Sequence, residues 1–217
     1  MKKGFTLIEL LIVIAVIAVL SVVVILSLNP AELLRQARDS NRVSDMATIK
    51  SALALYLTDV SSPVLGSSTY CYISNSTATI AIVASSTGSW TAPAATPGCG
   101  YWFPSNTTST WMNATTSRSI GSTGWIPVNL SGISSGSPLG QEPIDPINQG
   151  GNASCSTTNV SLANCSLFYS YIVSGTSFKI ASFMESKKYS NGGSGDVESK
   201  DGGYNPYVYE QGVNLSL

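Results

Sequence analysis

The side chains of this sequence that could carry chemistry are carboxylates and thiols, because the chain contains no histidine. Acidic residues cluster near the C-terminus among glycines, and Asp196, Glu198 and Asp201 are close enough for one turn to gather their oxygens. A flexible turn with several oxygen ligands suits a hard cation such as Ca2+. The spacing departs from the EF-hand pattern, so a solvated glycine-rich loop is the competing interpretation.

The composition argues against an enzyme. Without histidine, the Ser-His-Asp triad, the Cys-His dyad and most catalytic zinc sites are excluded. The sequence also has no P-loop, no GxGxxG and no nucleophile elbow. A formal net charge of -1 gives no basic patch for nucleic acid. We therefore predict a non-enzymatic protein that requires no cofactor and binds no nucleic acid.

The N-terminal segment is long and apolar. No residue from Leu10 to Leu28 is charged, whereas Lys2 and Lys3 precede the run. An uncharged run of this length predicts a transmembrane helix over residues 5–28, and the positive-inside rule keeps Met1 in the cytoplasm. The run is too long for a removable secretory signal.

Glu9 interrupts the start of this segment. A carboxylate in an apolar helix is a functional hypothesis by default, because it is costly in lipid. One interpretation is that Glu9 reaches the membrane interface. The other is that cleavage after Gly4 creates a charged amine on Phe5, with which Glu9 of a neighbouring subunit pairs during assembly.

The segment Lys3-Gly4-Phe5-Thr6-Leu7-Ile8-Glu9, followed by an apolar helix, resembles the class III leader of type IV pilins and type II secretion pseudopilins. The resemblance implies that prepilin peptidase cuts between Gly4 and Phe5, that Phe5 becomes N-methylated, and that Glu9 is the assembly carboxylate. It also implies a homopolymer built with a platform protein and an ATPase. The subunit would wait in the inner membrane and end in an extracellular pilus or a periplasmic pseudopilus.

The expected fold class is α+β, with one long N-terminal helix packed on a small antiparallel sheet, as in type IV pilins. We divide the chain into a leader at 1–4, the apolar helix at 5–28, an amphipathic helical half at 29–59 and a head at 60–217. Pro30 predicts a kink, or else a second helix that begins there with Asn29 as its cap. Apolar residues at 46, 49, 53, 56 and 57 follow helical spacing. The charges of this half are predicted to form a solvated face, and ion pairs between subunits of a filament are the alternative.

The head is poor in charge and rich in Gly, Pro, Ser, Thr and Asn, which predicts short strands and many turns. Segment 85–122 is predicted to be a surface loop anchored by three tryptophans, and Ser174-Gly175 a hairpin turn. The predicted strands are 77–84, 124–130, 168–174, 177–185 and 207–217.

The four cysteines lie in the predicted exported head, where disulfides persist. Of the three pairings, we favour Cys71–Cys99 and Cys155–Cys165, because both loops stay short and neither crosses the other. A zinc site made of all four is the competitor, without a C-x-x-C to support it.

Three functions remain open. A pilus subunit is preferred; a type II secretion major pseudopilin and a membrane-anchored binding protein that never polymerises are the alternatives. By resemblance to the major pseudopilins, which carry calcium in a C-terminal loop, Asp196, Glu198 and Asp201 are the tentative calcium ligands. The segment around Asp145 resembles the proline-rich turn of those proteins, and Asp145 is expected to cap it.

Overall fold

The structure is a computed structural model that describes residues 4–76, 111–150 and 166–217. Several predictions lie outside these ranges: the strand at 77–84, most of the loop at 85–122, and three of the four cysteines. The described elements are two helices, seven strands and one short 3-10 turn.

Helix α1 spans Leu7–Leu28 and begins after Thr6, whose extended backbone (ψ 152°) makes it the N-cap. Its sequence has no proline and no glycine, so nothing interrupts the helical hydrogen bonds before Asn29. Within the described ranges, no helix meets the combined length and hydropathy of a membrane span. The membrane segment at residues 5–28 stays a prediction.

The expected kink at Pro30 is instead a break between two helices. Asn29 has left-handed backbone angles (φ 41°, ψ 71°), and helix α2 begins at Pro30 and ends at Asp59. Asn29 tolerates this conformation better than most residues, and its side chain accepts the N–H of Glu32. Proline suits the first helical position because it has no N–H to satisfy there. The chain therefore follows the second of the two alternatives at this point.

Helix α2 carries the apolar stripe that packs on the head. Met46, Ile49, Leu53 and Tyr56 are all at most 4 % exposed, which confirms the helical spacing seen in the sequence. The helix contacts two strands of the sheet and the 3-10 turn at Leu130–Gly132. This stripe fixes the orientation of α2 relative to the sheet.

The main sheet is mixed, so the expectation of an antiparallel sheet was wrong. Its five strands are β1 (Tyr70–Ile73), β2 (Trp111–Ala114), β5 (Ser170–Ser174), β6 (Ser177–Ser182) and β7 (Tyr209–Gly212), in the order β2-β1-β5-β6-β7. The β1–β2 pair is parallel and the others are antiparallel. The 37 residues between β1 and β2 are long enough for the crossover that parallel pairing requires. A small second sheet pairs β3 (Gln149–Gly150) with β4 (Ser166–Leu167).

The hairpin predicted at Ser174-Gly175 is confirmed. Strands β5 and β6 are joined by a two-residue turn in which Gly175 has φ 61°, and Ser174 pairs with Ser177. Positive φ at this position matches the twist that a tight hairpin needs. Both strands are shorter than the segments predicted for them, as is β7.

Two other assignments in the head were wrong. Segment 124–130 is not a strand but an irregular loop that leads into the 3-10 turn, although Trp125, Ile126 and Val128 are buried. Its apolar residues therefore indicate burial and not strand pairing. The predicted loop at 85–122 contains β2, and β1 was not anticipated because it has only four residues.

The core lies on both faces of the sheet. On β5, Tyr171 and Val173 join the cluster that packs against α2, while Ile172 points to a second cluster with Cys71, Ile73 and Phe183. Successive residues of a strand face opposite sides of the sheet. A strand that is buried on both faces therefore has apolar residues at consecutive positions.

Candidate functional site: the N-terminal segment and its attachment to the head

The bond between Gly4 and Phe5 lies outside any helix and is open to solvent. Both residues are exposed, and the Phe5 side chain is 90 % exposed. Helix α1 begins two residues later, at Leu7. The predicted cleavage point is therefore accessible and non-helical.

Glu9 is held by Thr6 in a complete capping box. Its Oε2 atom accepts the backbone N–H of Thr6 at 2.8 Å and the Thr6 hydroxyl at 2.7 Å, and its own N–H donates to Thr6 Oγ1 at 3.3 Å. These bonds satisfy two donors that have no partner within the helix. This contact was not predicted, although Thr-x-x-Glu before an apolar run is its signature.

The surface of α1 beyond Glu9 is apolar and open. The large apolar side chains from Leu10 to Val24 with described burial are between 49 % and 66 % exposed. They include residues on every side of the helix, so no single face is packed away. An exposed apolar surface of this size is typical of a segment that interacts with lipid or with other protein.

Arg42 of α2 is the centre of a buried group of charges that attaches this helix to the head. Its Nε and Nη2 atoms donate to the two carboxylate oxygens of Asp145 at 2.6 Å and 3.0 Å. Its Nη1 atom donates to Asp39 at 2.7 Å and to Glu185 at 2.6 Å. The Arg42, Asp39 and Asp145 side chains are fully buried, so the predicted solvated face is wrong for Arg42 and Asp39.

The carboxylates around Arg42 also hold the backbone of the head. Asp39 accepts the N–H groups of Glu185 and Ser186, so the chain after β6 is tied to α2. Asp145 accepts the N–H groups of Ile147 and Asn148. These two bonds confirm the turn-capping role predicted for Asp145. Its ion pair with Arg42 was not predicted from the sequence.

Electrostatic coupling keeps Arg42 and Glu185 ionised. Burial alone would lower the pKa of Arg42, but its bonds with Asp145 and Glu185 outweigh burial and raise the pKa. Burial opposes ionisation of Glu185 too, yet the guanidinium groups of Arg38 and Arg42 hold its pKa below the usual value of 4.5. Arg38 adds two hydrogen bonds to Glu185, at 2.7 Å and 3.0 Å. The whole arrangement thus acts as one charged clamp, which we call the Arg42 clamp (Arg38, Asp39, Arg42, Asp145 and Glu185).

The three tentative calcium ligands each serve as a local cap. Glu198 accepts the N–H groups of Met184 and Asn191, at 3.0 Å and 2.9 Å. Asp196 accepts Ser199 N–H, and Asp201 accepts Gly203 N–H. Among the residues that the structure describes, no group of three potential metal ligands converges. Calcium binding stays a prediction that these contacts do not test.

Glu210, another acid of the C-terminal cluster, is also structural. It is fully buried in β7, and its Oε1 atom lies 3.0 Å from Nζ of Lys179 on β6. Its Oε2 atom accepts Asn205 N–H at 3.1 Å. The buried carboxylates of Asp196, Glu198 and Glu210 thus bond within the head, while other residues of the segment, such as Gly192, Lys200 and Gly202, are exposed as expected for a loop.

Cys71 is fully buried on β1 and is disulfide-bonded. The other three cysteines lie outside the described residues. The pairings Cys71–Cys99 and Cys155–Cys165 stay predictions.

Residues 1–25 match the family model described as the prokaryotic N-terminal methylation motif. This motif is the class III prepilin leader of type IV pilin-like proteins, so the chain carries such a leader. It points to a structural, pilin-like protein. No characterised protein and no solved structure is significantly similar to the chain.

Proposed function

We propose that the protein is a structural subunit of a type IV pilus or a related filament, which prepilin peptidase processes and which polymerises through its N-terminal helix. The observation that carries the proposal is the prepilin leader directly before a helix with an apolar, exposed surface. A soluble monomer would leave that surface in water, whereas packing among copies of the same helix removes it from water.

The proposed sequence of events is the one that the resemblance to type IV pilins implies. Prepilin peptidase cuts the exposed bond between Gly4 and Phe5, and Phe5 becomes the methylated N-terminus. The subunit is held in the inner membrane by residues 5–28 with its head exported. A platform protein and an ATPase then drive its transfer into the filament.

Glu9 has two successive partners in this proposal. In the precursor it caps α1 through Thr6. After cleavage, the new ammonium group on Phe5 of a neighbouring subunit offers an opposite charge in an apolar setting. A carboxylate inside the filament core needs such a partner, because an unpaired buried charge is strongly destabilising.

A major pseudopilin of type II secretion is the second candidate. The acidic C-terminal segment favours it, since the resemblance to pseudopilins extends to an acidic loop with calcium in that region. The Arg42 clamp supports both candidates equally, because each needs α2 fixed on the head.

The mass of the N-terminal peptide, measured separately in a sheared surface fraction and in cell envelopes, tests these proposals. A peptide that begins with methylated Phe5 in the sheared fraction supports the pilus subunit. The same peptide confined to the envelope supports the pseudopilin. An intact Met1 in both fractions contradicts both and leaves a membrane-anchored binding protein.

A further inference from the structure

Glu142 joins two loops of the head through its backbone. Its N–H donates to the carbonyl of Arg118 at 3.0 Å, and the Arg118 guanidinium returns a hydrogen bond of 2.7 Å to the carbonyl of Glu142. The side chain then turns inward and is fully buried. This acid takes no part in the Arg42 clamp or in the N-terminal segment.

The Glu142 carboxyl is incompletely satisfied. One oxygen, Oε2, accepts the N–H of Ile126 at 3.1 Å, whereas the nearby N–H of Trp125 donates to the Ser117 carbonyl at 2.9 Å and also lowers the pKa of this carboxyl. The other oxygen, Oε1, is buried without a hydrogen-bond partner among the described residues. A buried polar atom without a partner is uncommon in native proteins and requires an explanation.

Gly124 makes room for this carboxyl. A Cβ atom on Gly124 would overlap both carboxyl oxygens of Glu142 and the carbonyl oxygen of Ser119. The Glu142 carboxyl and the Ser119 carbonyl, both acceptors, therefore border the same position beside Gly124. Two acceptors tolerate such proximity when a proton lies between them, and a neutral carboxylic acid supplies one O–H donor.

The surroundings of Glu142 favour the neutral acid. Burial raises its pKa to about 8, against the opposing effect of the two backbone N–H groups. On β5, burial also keeps Tyr171 neutral with a pKa well above 10, and Tyr72 and Tyr56 lie beside it. The nearby cation, Arg118, interacts with Asp45 of α2 and bonds the carbonyl of Glu142.

We propose that Glu142 is a proton-dependent latch of the head. With its carboxyl protonated, it donates across Gly124 to the Ser119 carbonyl and holds Trp125 and Ile126 in place. When the carboxyl ionises, it loses this donor and gains a buried charge, so the loop around Trp125 loosens. The proposal is independent of whether the protein forms filaments.

The sign of the effect follows from proton binding. Between the ordinary glutamate pKa of 4.5 and the raised pKa of about 8, the folded state binds more protons than the unfolded state. The stability contributed by this proton is therefore full at the acidic end, declines as the pH rises through this interval, and is absent above it. An exported head would thus be held more tightly in acid than in alkali at this loop.

Amide hydrogen exchange of the full chain in detergent micelles tests the latch. The protection factors of the Trp125 and Ile126 amides are measured between about pH 6 and pH 10, a range that brackets the pKa. We expect them to fall by about tenfold per pH unit below the raised pKa of about 8, which is the slope of one proton, and to level off above it. Glu142→Gln, which keeps the shape without the charge, should make both protection factors independent of pH.

Glu198→Gln is the matched control. Glu198 is a second buried acid, but it caps Met184 and Asn191, so its removal should leave the pH dependence at Trp125 and Ile126 unchanged. The proposal is contradicted if the protection factors of the Glu142→Gln variant fall with pH as they do in the wild type. If that variant does not fold, the 13C chemical shift of the wild-type Glu142 carboxyl is followed as a function of pH instead. A titration midpoint below about pH 5 contradicts the proposal.

Discussion

Arg42 and Asp145 are 103 residues apart in the chain and form a two-point ion pair with no exposed side-chain surface. The pair joins the middle of α2 to the turn that Asp145 caps, and the two bond lengths are 2.6 Å and 3.0 Å. Because Arg42 also bonds Asp39 and Glu185, three separate parts of the chain depend on one guanidinium. The attachment of the helix to the head is thus electrostatic as well as apolar.

Arg42→Met should lower the free energy of unfolding by roughly 3–5 kcal/mol, because it leaves carboxylates buried without their cation. Urea unfolding of the full chain in detergent measures the change. Arg35→Met is the control, since Arg35 is 46 % exposed and lies 3.7 Å from Glu32. An exposed pair of this kind contributes about 1 kcal/mol at most. Equal losses for the two variants would show that burial of Arg42 carries no special weight.

The Arg42 clamp should weaken in acid. Its cations hold the pKa of Glu185 below the usual value of 4.5. Glu185 therefore stabilises the folded state above about pH 4.5, and this contribution is lost as the pH falls through the lowered pKa. The difference in unfolding free energy between wild type and Glu185→Gln should therefore be constant above about pH 5 and shrink below it. A difference that stays constant down to about pH 3 would contradict this account.

Gly66→Ala should destabilise the connection between α2 and β1. Gly66 has φ 113°, and a Cβ there would lie 2.7 Å from Cγ of Pro127 and 3.1 Å from the Tyr72 hydroxyl. Gly136 has φ 89° with nothing within 4 Å of the added carbon, so Gly136→Ala measures backbone strain alone. We expect about 1–3 kcal/mol from the strain at Gly136 and a larger loss at Gly66, measured by thermal unfolding. Equal losses of stability in the two variants would mean that Pro127 can move away from the added methyl group without an energetic cost.

Glu9→Ala should leave cleavage after Gly4 intact and reduce the yield of filaments, because the subunit loses its proposed partner for the ammonium group of Phe5. N-terminal mass and the amount of sheared filament measure the two effects. Thr6→Val separates the two roles of Glu9, since it removes the hydroxyl of the capping box and keeps the carboxylate. We expect the Thr6 variant to assemble better than the Glu9 variant. Normal filament yield from Glu9→Ala would exclude the pairing.

Local sequence patterns determined the leader, both helices and the hairpin. The order Gly4-Phe5-Thr6 before an apolar run is a local signal, and the match over residues 1–25 bears it out. The stripe from Met46 to Tyr56 and the turn at Gly175 are also local, because helical spacing and positive φ involve only neighbouring residues. Each of these features can therefore be predicted without knowing what the segment packs against.

Only the tertiary structure decided which charges are buried and how the strands pair. Arg42 and Asp39 look like a solvated helical face until Asp145 and Glu185 are brought to them from the head. The parallel β1–β2 pair and the loop around Trp125 likewise depend on partners far along the chain. Whether an ion pair is buried depends on the cost of desolvation and on contacts with residues far along the chain. The spacing of residues within one segment gives no information about those distant contacts.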